Sequence, residues 1–360
     1  MRKTILMGSI LALLTCNAMA KSKQTSMVDI DTAKLDAYMH ELASKDEFSG
    51  TLLLAKGEEV LYSGAFGLAS KRFNVHNNKD TKFNLGSMNK MFTSVAIMQL
   101  VEKGKLSLSD KLGKHLDDTW LPKSISDQIE IQHLLSHSSG LGSYFNRDFI
   151  TSARERFRSL DDFKKLIQNE KLKFKPGERF SYSNTGMLLL GVVIESVTKQ
   201  SYFDYIQQNI YDRVGMTNTG SFDMDHPIPN LAIGYMQNKN QTGWKNNLFM
   251  HVIKGGPAGG GFSTIADLHK FALALTQYKL LNKQNTELLY SSKPQFNSST
   301  YGYGFRVKGE ENDRIVGHDG AFPGIDANLD IHLDKGYITV VLANYGRSAK
   351  PVINKMNELL

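Results

Sequence analysis

The 360-residue chain has one cysteine, Cys16, and only two tryptophans and eight prolines. A lone cysteine near the amino terminus supports no disulfide framework, and a mature chain starting at Lys21 has no thiolate nucleophile. Catalysis, if present, must use oxygen, nitrogen or a metal-bound water. Beyond the apolar run 5–14, no segment approaches the roughly 18 uninterrupted apolar residues that a spanning helix needs, so no stable membrane span is expected. A dense basic stripe is also missing. The formal charge is +7, but Lys and Arg are scattered among Asp and Glu, which reads as solubility rather than nucleic-acid binding. No internal repeat, low-complexity tract or flexible linker stands out. What remains is 41% hydrophobic and 22% charged, the composition of a globular chain with a large core.

Residues 1–20 have the parts of a secretory signal: Arg2 and Lys3, an apolar run, and Ala18-Met19-Ala20 before a polar stretch. The expected product is periplasmic or secreted. A second reading makes Cys16, after Leu13-Leu14-Thr15, the lipidated first residue of a lipoprotein. Thr15 is bulkier than the small residue expected there, which favours cleavage after Ala20.

Leu35, Tyr38, Met39 and Leu42 recur at helical spacing and predict a first helix over 31–45. Two strand-like runs, 50–55 and 60–66, flank Lys56-Gly57-Glu58-Glu59 and predict a hairpin. Helical patterns follow over 91–101, 160–172, 187–197 and 265–275. Strand patterns return over 301–307, 327–333 and 337–343, before a last helix over 351–360. Strands at both ends with helices between them imply one sheet assembled from distant segments. The expected fold is α+β: an antiparallel β-sheet flanked by helices, with an inserted all-helical subdomain. The expected domains are a signal over 1–20 and a catalytic domain over 21–360, its sheet part spanning about 28–86 and 295–360 and its helical part about 87–294.

Ser87-Met88-Asn89-Lys90 opens the apolar helix 91–101, and a spacing of three puts both side chains on one helical face. A serine hydroxyl is a weak nucleophile until a base takes its proton, and a lysine can do so only if burial lowers its pKa from about 10.4. The ordinary alternative is a helix cap at Ser87 and a solvated Lys90. A second match, Ser196-Val197-Thr198-Lys199, falls near a helix carboxyl end, where the dipole opposes an alkoxide. Tyr182-Ser183-Asn184 lies between the turn Lys175-Pro176-Gly177 and the helix near Met187. There Tyr182 could relay a proton, while Asn184 could bind a substrate carbonyl or orient Lys90. A rival triplet, Tyr144-Phe145-Asn146, has the same pattern. His318-Asp319-Gly320 sits among glycines that allow a ligand to lie against an edge strand. His318 could hold a proton network or stabilise negative charge, and the Ala321 N–H could join that of Ser87 in an oxyanion hole.

The ordered set Ser87-x-x-Lys90, Tyr182-x-Asn184 and His318-x-Gly320 resembles the penicillin-recognising serine hydrolases: class C β-lactamases, D-alanyl-D-alanine carboxypeptidases, D-aminopeptidases and related esterases. Residues 131–141 are similar to that family's H-L-L-x-H-x-S-G-L stretch, and 257–264 to its Gly-rich segment ahead of Ser-Thr. The resemblance implies a β-lactamase/transpeptidase-like fold, a site between sheet and helical lobe, and an acyl-enzyme on Ser87. It implies no cofactor and no metal. His133 and His137, four apart, are therefore read as structural and not as zinc ligands. The family's β-lactamases usually carry Lys-Thr-Gly at the third motif. Here His318 is cationic only part of the time near neutral pH, and Asp319 would repel a substrate carboxylate if it faced the cleft.

The expected activity is hydrolysis of an ester, an amide or a D-amino-acid peptide bond, with a small-molecule or peptide substrate, peptidoglycan-derived peptides included. β-Lactamase or D-alanyl-D-alanine carboxypeptidase activity is the alternative. A cell-wall-binding module without turnover is the alternative of another class. The loops 143–154 and 223–244 are expected to shape the substrate pockets.

Overall fold

In the computed structural model, residues 30–238 and 243–360 are described. The expected signal sequence and Cys16 lie outside them. Asp31–Leu360 is one compact unit. Strands β1 (Gly50–Lys56) and β2 (Glu59–Phe66) form the expected hairpin, with Gly57 at φ 55° in the turn. Four strands from the carboxyl end complete the sheet: β3 (Arg306–Lys308), β4 (Ile315–Phe322), β5 (Ile325–His332) and β6 (Tyr337–Ala343). Their order is β2-β1-β6-β5-β4-β3, with antiparallel neighbours throughout. The first hairpin thus joins the last strand through β1 and β6, as expected for a sheet built from both ends of the chain. β6 is buried along its whole length, because helices cover both faces.

Helices α1 (Thr32–Ser44) and α5 (Ala349–Leu359) pack on each other and on one side of the sheet, while α4 (Ile265–Thr276) packs on β1 and β6. Helix α2 (Asn89–Glu102) is buried from Asn89 to Leu100 on every side. A helix buried all round, polar Asn89, Lys90, Thr93, Ser94 and Gln99 included, is the centre of a core and not a surface element. It packs against α3 (Asn184–Thr198), and the turn ahead of it rests on β4. That arrangement brings residues near 87, 184 and 320 together. Among the described residues no helix is long and apolar enough to cross a membrane.

Two patterns mislead. Over 160–172 only a short turn and Lys164–Ile167 are helical. The chain leaves the helix after Ile167, and Glu170 beyond it accepts the Gly142 N–H. Over 301–307 the strand is confined to Arg306 onward. Tyr301, Tyr303 and Phe305 are buried from a coiled segment closed by Gly302 N–H to Phe305 O (2.8 Å), with Gly304 at φ 75°. Their alternation reflects tertiary burial, not a pleat.

Candidate active site

Ser87 lies in a single 3-10 turn, Gly86–Met88, that runs directly into α2. Its hydroxyl caps nothing, since the cap position of α2 is Met88 and has no side-chain bond. The ordinary alternative of a capping serine therefore does not hold. Gly86, at φ 50°, and Gly320 let this turn touch the β4 backbone. A Cβ on Gly320 would stand 1.9 Å from Leu85 O and 3.0 Å from Ser87 N, and one on Gly86 would stand 3.0 Å from Ala321 N. The two backbone nitrogens, Ser87 and Ala321, thereby come to one wall of a pocket that has both residues in its lining. β3 pairs with β4 only at Ile315, Val316 and Gly317, so the stretch 318–322 has no strand on that side. His318-Asp319-Gly320 lies inside β4, and Gly320 admits the chain's own turn at Leu85–Ser87 against the strand, in the place expected for a ligand.

Lys90 follows on the first turn of α2 and is 0% exposed. Its Nζ lies 3.1 Å from Ser87 Oγ, 2.9 Å from Asn184 Oδ1 and 2.5 Å from Ala258 O. Burial lowers its pKa to about 7, with the Asp319 carboxylate opposing the shift and Arg306 adding to it. A neutral amine has two hydrogens and one lone pair. Asn184 Oδ1 and Ala258 O can only accept, so they take both hydrogens and leave the lone pair for the Ser87 O–H. Asn184 is oriented in turn, because its Nδ2 donates to Ser143 Oγ at 3.1 Å. Asn184 thus contacts Lys90 and also lines the pocket over Ser87. The Gly-rich segment around 257–261 supplies Ala258 O and also buttresses the nucleophile turn, with Gly260 N donating to Gly86 O at 3.1 Å and Leu85 N to Gly261 O at 2.8 Å.

Ser183 caps α3 by accepting the Gly186 N–H at 2.8 Å, which fixes Tyr182 and Asn184 on either side of the helix start. The Tyr182 ring lies 4.8 Å from Lys90 Nζ, and its phenol lies beside Ser87. Burial pushes the phenol pKa well up, so Tyr182 stays protonated and can pass a proton but not serve as the resting base.

His318 is placed differently from the sequence expectation. Its side chain is buried, and its Nδ1 lies 2.5 Å from the Asp319 carbonyl oxygen. A carbonyl only accepts, so Nδ1 carries the hydrogen and Nε2 accepts from the Tyr301 hydroxyl at 2.9 Å. Tyr301 in turn accepts from His137 Nε2 at 3.1 Å, and His137 Nδ1 accepts the Ser183 N–H at 3.2 Å. Every tautomer in this chain follows from its two ends. Burial lowers the pKa of His318 and of His137 well below the ordinary value, although Asp319 pulls that of His318 upward. His318 is neutral at pH 7, which corrects the expectation of a part-time cation. His137, at φ 56° beyond the helix Ile131–Leu135, shares no helical face with His133. His133 instead accepts the Glu130 N–H on its Nδ1 at 3.1 Å, within a capping box.

Asp319 projects from the other side of β4 and pairs with both Nε and Nη2 of Arg306. The third motif thus presents a compensated ion pair, not a bare carboxylate. Nothing in the sequence marked Arg306 or Tyr301 as members of this site. His137 stands in the family-like stretch 131–141, where it reads as structural.

The pocket over Ser87 holds about 240 Å3 and is walled by Tyr144, Phe145, Val252, Phe322 and Ile325 with polar groups at its floor. Phe145 and Phe322 face each other with ring centroids 6.1 Å apart. Of the two loops expected to shape it, 143–154 contributes Tyr144 and Phe145, while 223–244 instead lines a neighbouring groove of about 950 Å3 through Tyr235, Met236, Gln237 and Trp244. The rival triplet is a wall and a cap: Tyr144 is buried, and Asn146 accepts the Phe149 N–H at 3.0 Å. No cluster of three or more His, Cys, Asp or Glu suited to a metal ion occurs among the described residues.

The Beta-lactamase family profile matches residues 35–358. Penicillin-binding protein 4* of Bacillus subtilis is 30% identical over 325 residues, covering 86% of this chain and 71% of its own. The crystal structure of a penicillin-binding protein from Bacillus halodurans superposes with a TM-score of 0.81 at 33% identity, covering 90% of this chain and 99% of its own. The D-amino acid amidase of Ochrobactrum anthropi SV3 shares the fold, with a TM-score of 0.76 at 20% identity over 91% of this chain and 98% of its own. The chain belongs to the β-lactamase family of serine hydrolases.

Proposed function

We propose that the protein is an exported hydrolase that cleaves an ester, amide or D-amino-acid peptide bond through an acyl-enzyme on Ser87. The observation that carries this reading is the buried Lys90 amine, with pKa about 7, 3.1 Å from Ser87 Oγ. In the first step the Lys90 lone pair takes the Ser87 proton while Oγ attacks the carbonyl carbon. The backbone N–H groups of Ser87 and Ala321 receive the developing oxyanion. Lys90 then returns the proton to the leaving oxygen or nitrogen through the Tyr182 hydroxyl, and the acyl group stays on Oγ.

The third motif supports an uncharged substrate terminus. A neutral His318 offers no cation to a carboxylate, and Asp319 is neutralised by Arg306. The apolar walls of the pocket suit an acyl group with an aliphatic or aromatic side chain. The name of the amidase relative agrees with an amide of this kind, while the penicillin-binding names point to a ligand that carries a carboxylate. A β-lactamase or carboxypeptidase reading would need Arg306 to leave Asp319 for a substrate carboxylate. Export rests on the sequence of residues 1–20 alone.

The test is a panel of p-nitrophenyl esters, D-amino-acid p-nitroanilides, a D-Ala-D-Ala peptide and a chromogenic cephalosporin, run with wild type and Ser87→Ala. Mass analysis follows a fluorophosphonate and a fluorescent penicillin. Turnover of neutral esters or amides with a label on Ser87 supports the reading. No label on Ser87 and no turnover, with binding to peptidoglycan that survives Ser87→Ala, would establish the non-catalytic module instead.

A further inference from the structure

The acyl-enzyme must be hydrolysed, and Lys90 is poorly placed to bring the water. It is fully buried beneath Ser87, with both hydrogens held by Asn184 and Ala258. A second basic nitrogen lines the same pocket. His251 borders it from the segment that leads to the Gly-rich turn. Its Nδ1 lies 3.2 Å from the Val252 carbonyl oxygen, which can only accept, so Nδ1 carries the hydrogen and Nε2 keeps a lone pair. Burial lowers its pKa, which keeps the ring neutral and its Nε2 lone pair free at pH 7.

Behind His251 lies a small chamber of about 30 Å3 that shares Asn84, His251 and Ile325 with the catalytic pocket. Asn247 and Asn344 line it, and both are buried with an Oδ1 that has no partner. Neither amide can be flipped to cure this. Asn247 Nδ2 donates to Pro323 O at 2.9 Å, and Asn344 Nδ2 to Leu68 O and Ile233 O, each at 2.9 Å. A flip would press oxygen against carbonyl oxygen. Two buried acceptors without donors, beside a space the size of a water molecule, are what an internal water satisfies.

We infer that this chamber holds water and that His251 Nε2 binds the molecule that hydrolyses the Ser87 acyl-enzyme. The inference rests on the acyl-enzyme reading above. The water oxygen bonds to the acyl carbonyl carbon as its proton passes to Nε2. The tetrahedral intermediate collapses, the bond from carbon to Ser87 Oγ breaks, and the imidazolium returns the proton to Oγ. A carboxylic acid leaves and both side chains regain their starting forms.

Burst kinetics with a p-nitrophenyl ester and time-resolved intact mass on wild type, His251→Gln and His251→Ala test this. Gln keeps a polar side chain but has no basic nitrogen, and Ala opens a space that added imidazole can enter. In both variants the acyl adduct on Ser87 is expected to accumulate and its hydrolysis to slow at least about tenfold. Acylation should slow less than about threefold, and imidazole should restore turnover in His251→Ala. An adduct that forms on His251→Gln and is hydrolysed at the wild-type rate overturns the role of His251. A wild-type protein that never carries an adduct on Ser87 overturns the acyl-enzyme reading, and this inference with it.

Discussion

Ser87-Met88-Asn89-Lys90 and Ser196-Val197-Thr198-Lys199 share one pattern and meet opposite circumstances. The first stands at the amino-terminal approach to α2, where free N–H groups and the helix dipole favour negative charge. The second ends α3, where the dipole has the other sign. Lys90 is sealed in the core against three oxygen partners, whereas Lys199 is exposed in a left-handed cap at φ 59°. Spacing brings a lysine near a serine in both places. Only burial turns the lysine into a base, because it removes the water that would hold its proton.

The comparison can be broken most sharply at the serines. Ser87→Ala is expected to lower ester or amide turnover at least about a thousandfold, while Ser196→Ala stays within about twofold. Equal losses would remove the distinction. Next are the groups that move the proton. Lys90→Ala and Tyr182→Phe should each reduce acylation about a hundredfold or more, read as the rate of covalent labelling, and Lys199→Ala should leave it unchanged. A near-normal rate in either site variant would strip that residue of its role.

A smaller effect is expected behind the site. Tyr301→Phe leaves the His137 Nε2–H without an acceptor and the His318 Nε2 without a donor. Urea denaturation should show a loss of about 1–3 kcal/mol. Turnover should fall much less than in Lys90→Ala. The smallest effect concerns the ion pair. Arg306 lowers and Asp319 raises the pKa of Lys90, so Arg306→Gln should move the acid limb of acylation to higher pH and Asp319→Asn to lower pH. Each shift should be under about one unit, since the pair is partly solvated. Shifts of the same sign in both variants would contradict the assignment.

The grouping of Ser87, Lys90, Tyr182 and Asn184 was legible because each sits at a helix start, where local pattern is readable. The sequence also carried β1 and β6, whose apolar runs are continuous, but not β4, where Gly317, His318, Asp319 and Gly320 interrupt the apolar pattern. It did not carry the partners that set charge. Ala258 O meets Lys90 across 168 residues, and Tyr301 meets His137 across 164. Contacts of that range leave no periodicity to read. Arg306 follows a run whose alternation suggested a strand, and only the tertiary contact with Asp319 gives it meaning. His318 illustrates the same limit: the residue type implied a titrating group, but complete burial and two fixed partners keep it neutral.

The most direct measurement is the rate of covalent labelling of Ser87 as a function of pH, followed by intact mass in wild type. Lys90 accepts the Ser87 proton only when it is itself neutral, so the rate should rise with pH and reach half its maximum near the Lys90 pKa of about 7. A rate that is flat from about pH 5 to 9, or that begins to rise only near the ordinary lysine value of about 10.4, would contradict a buried neutral Lys90 as the base.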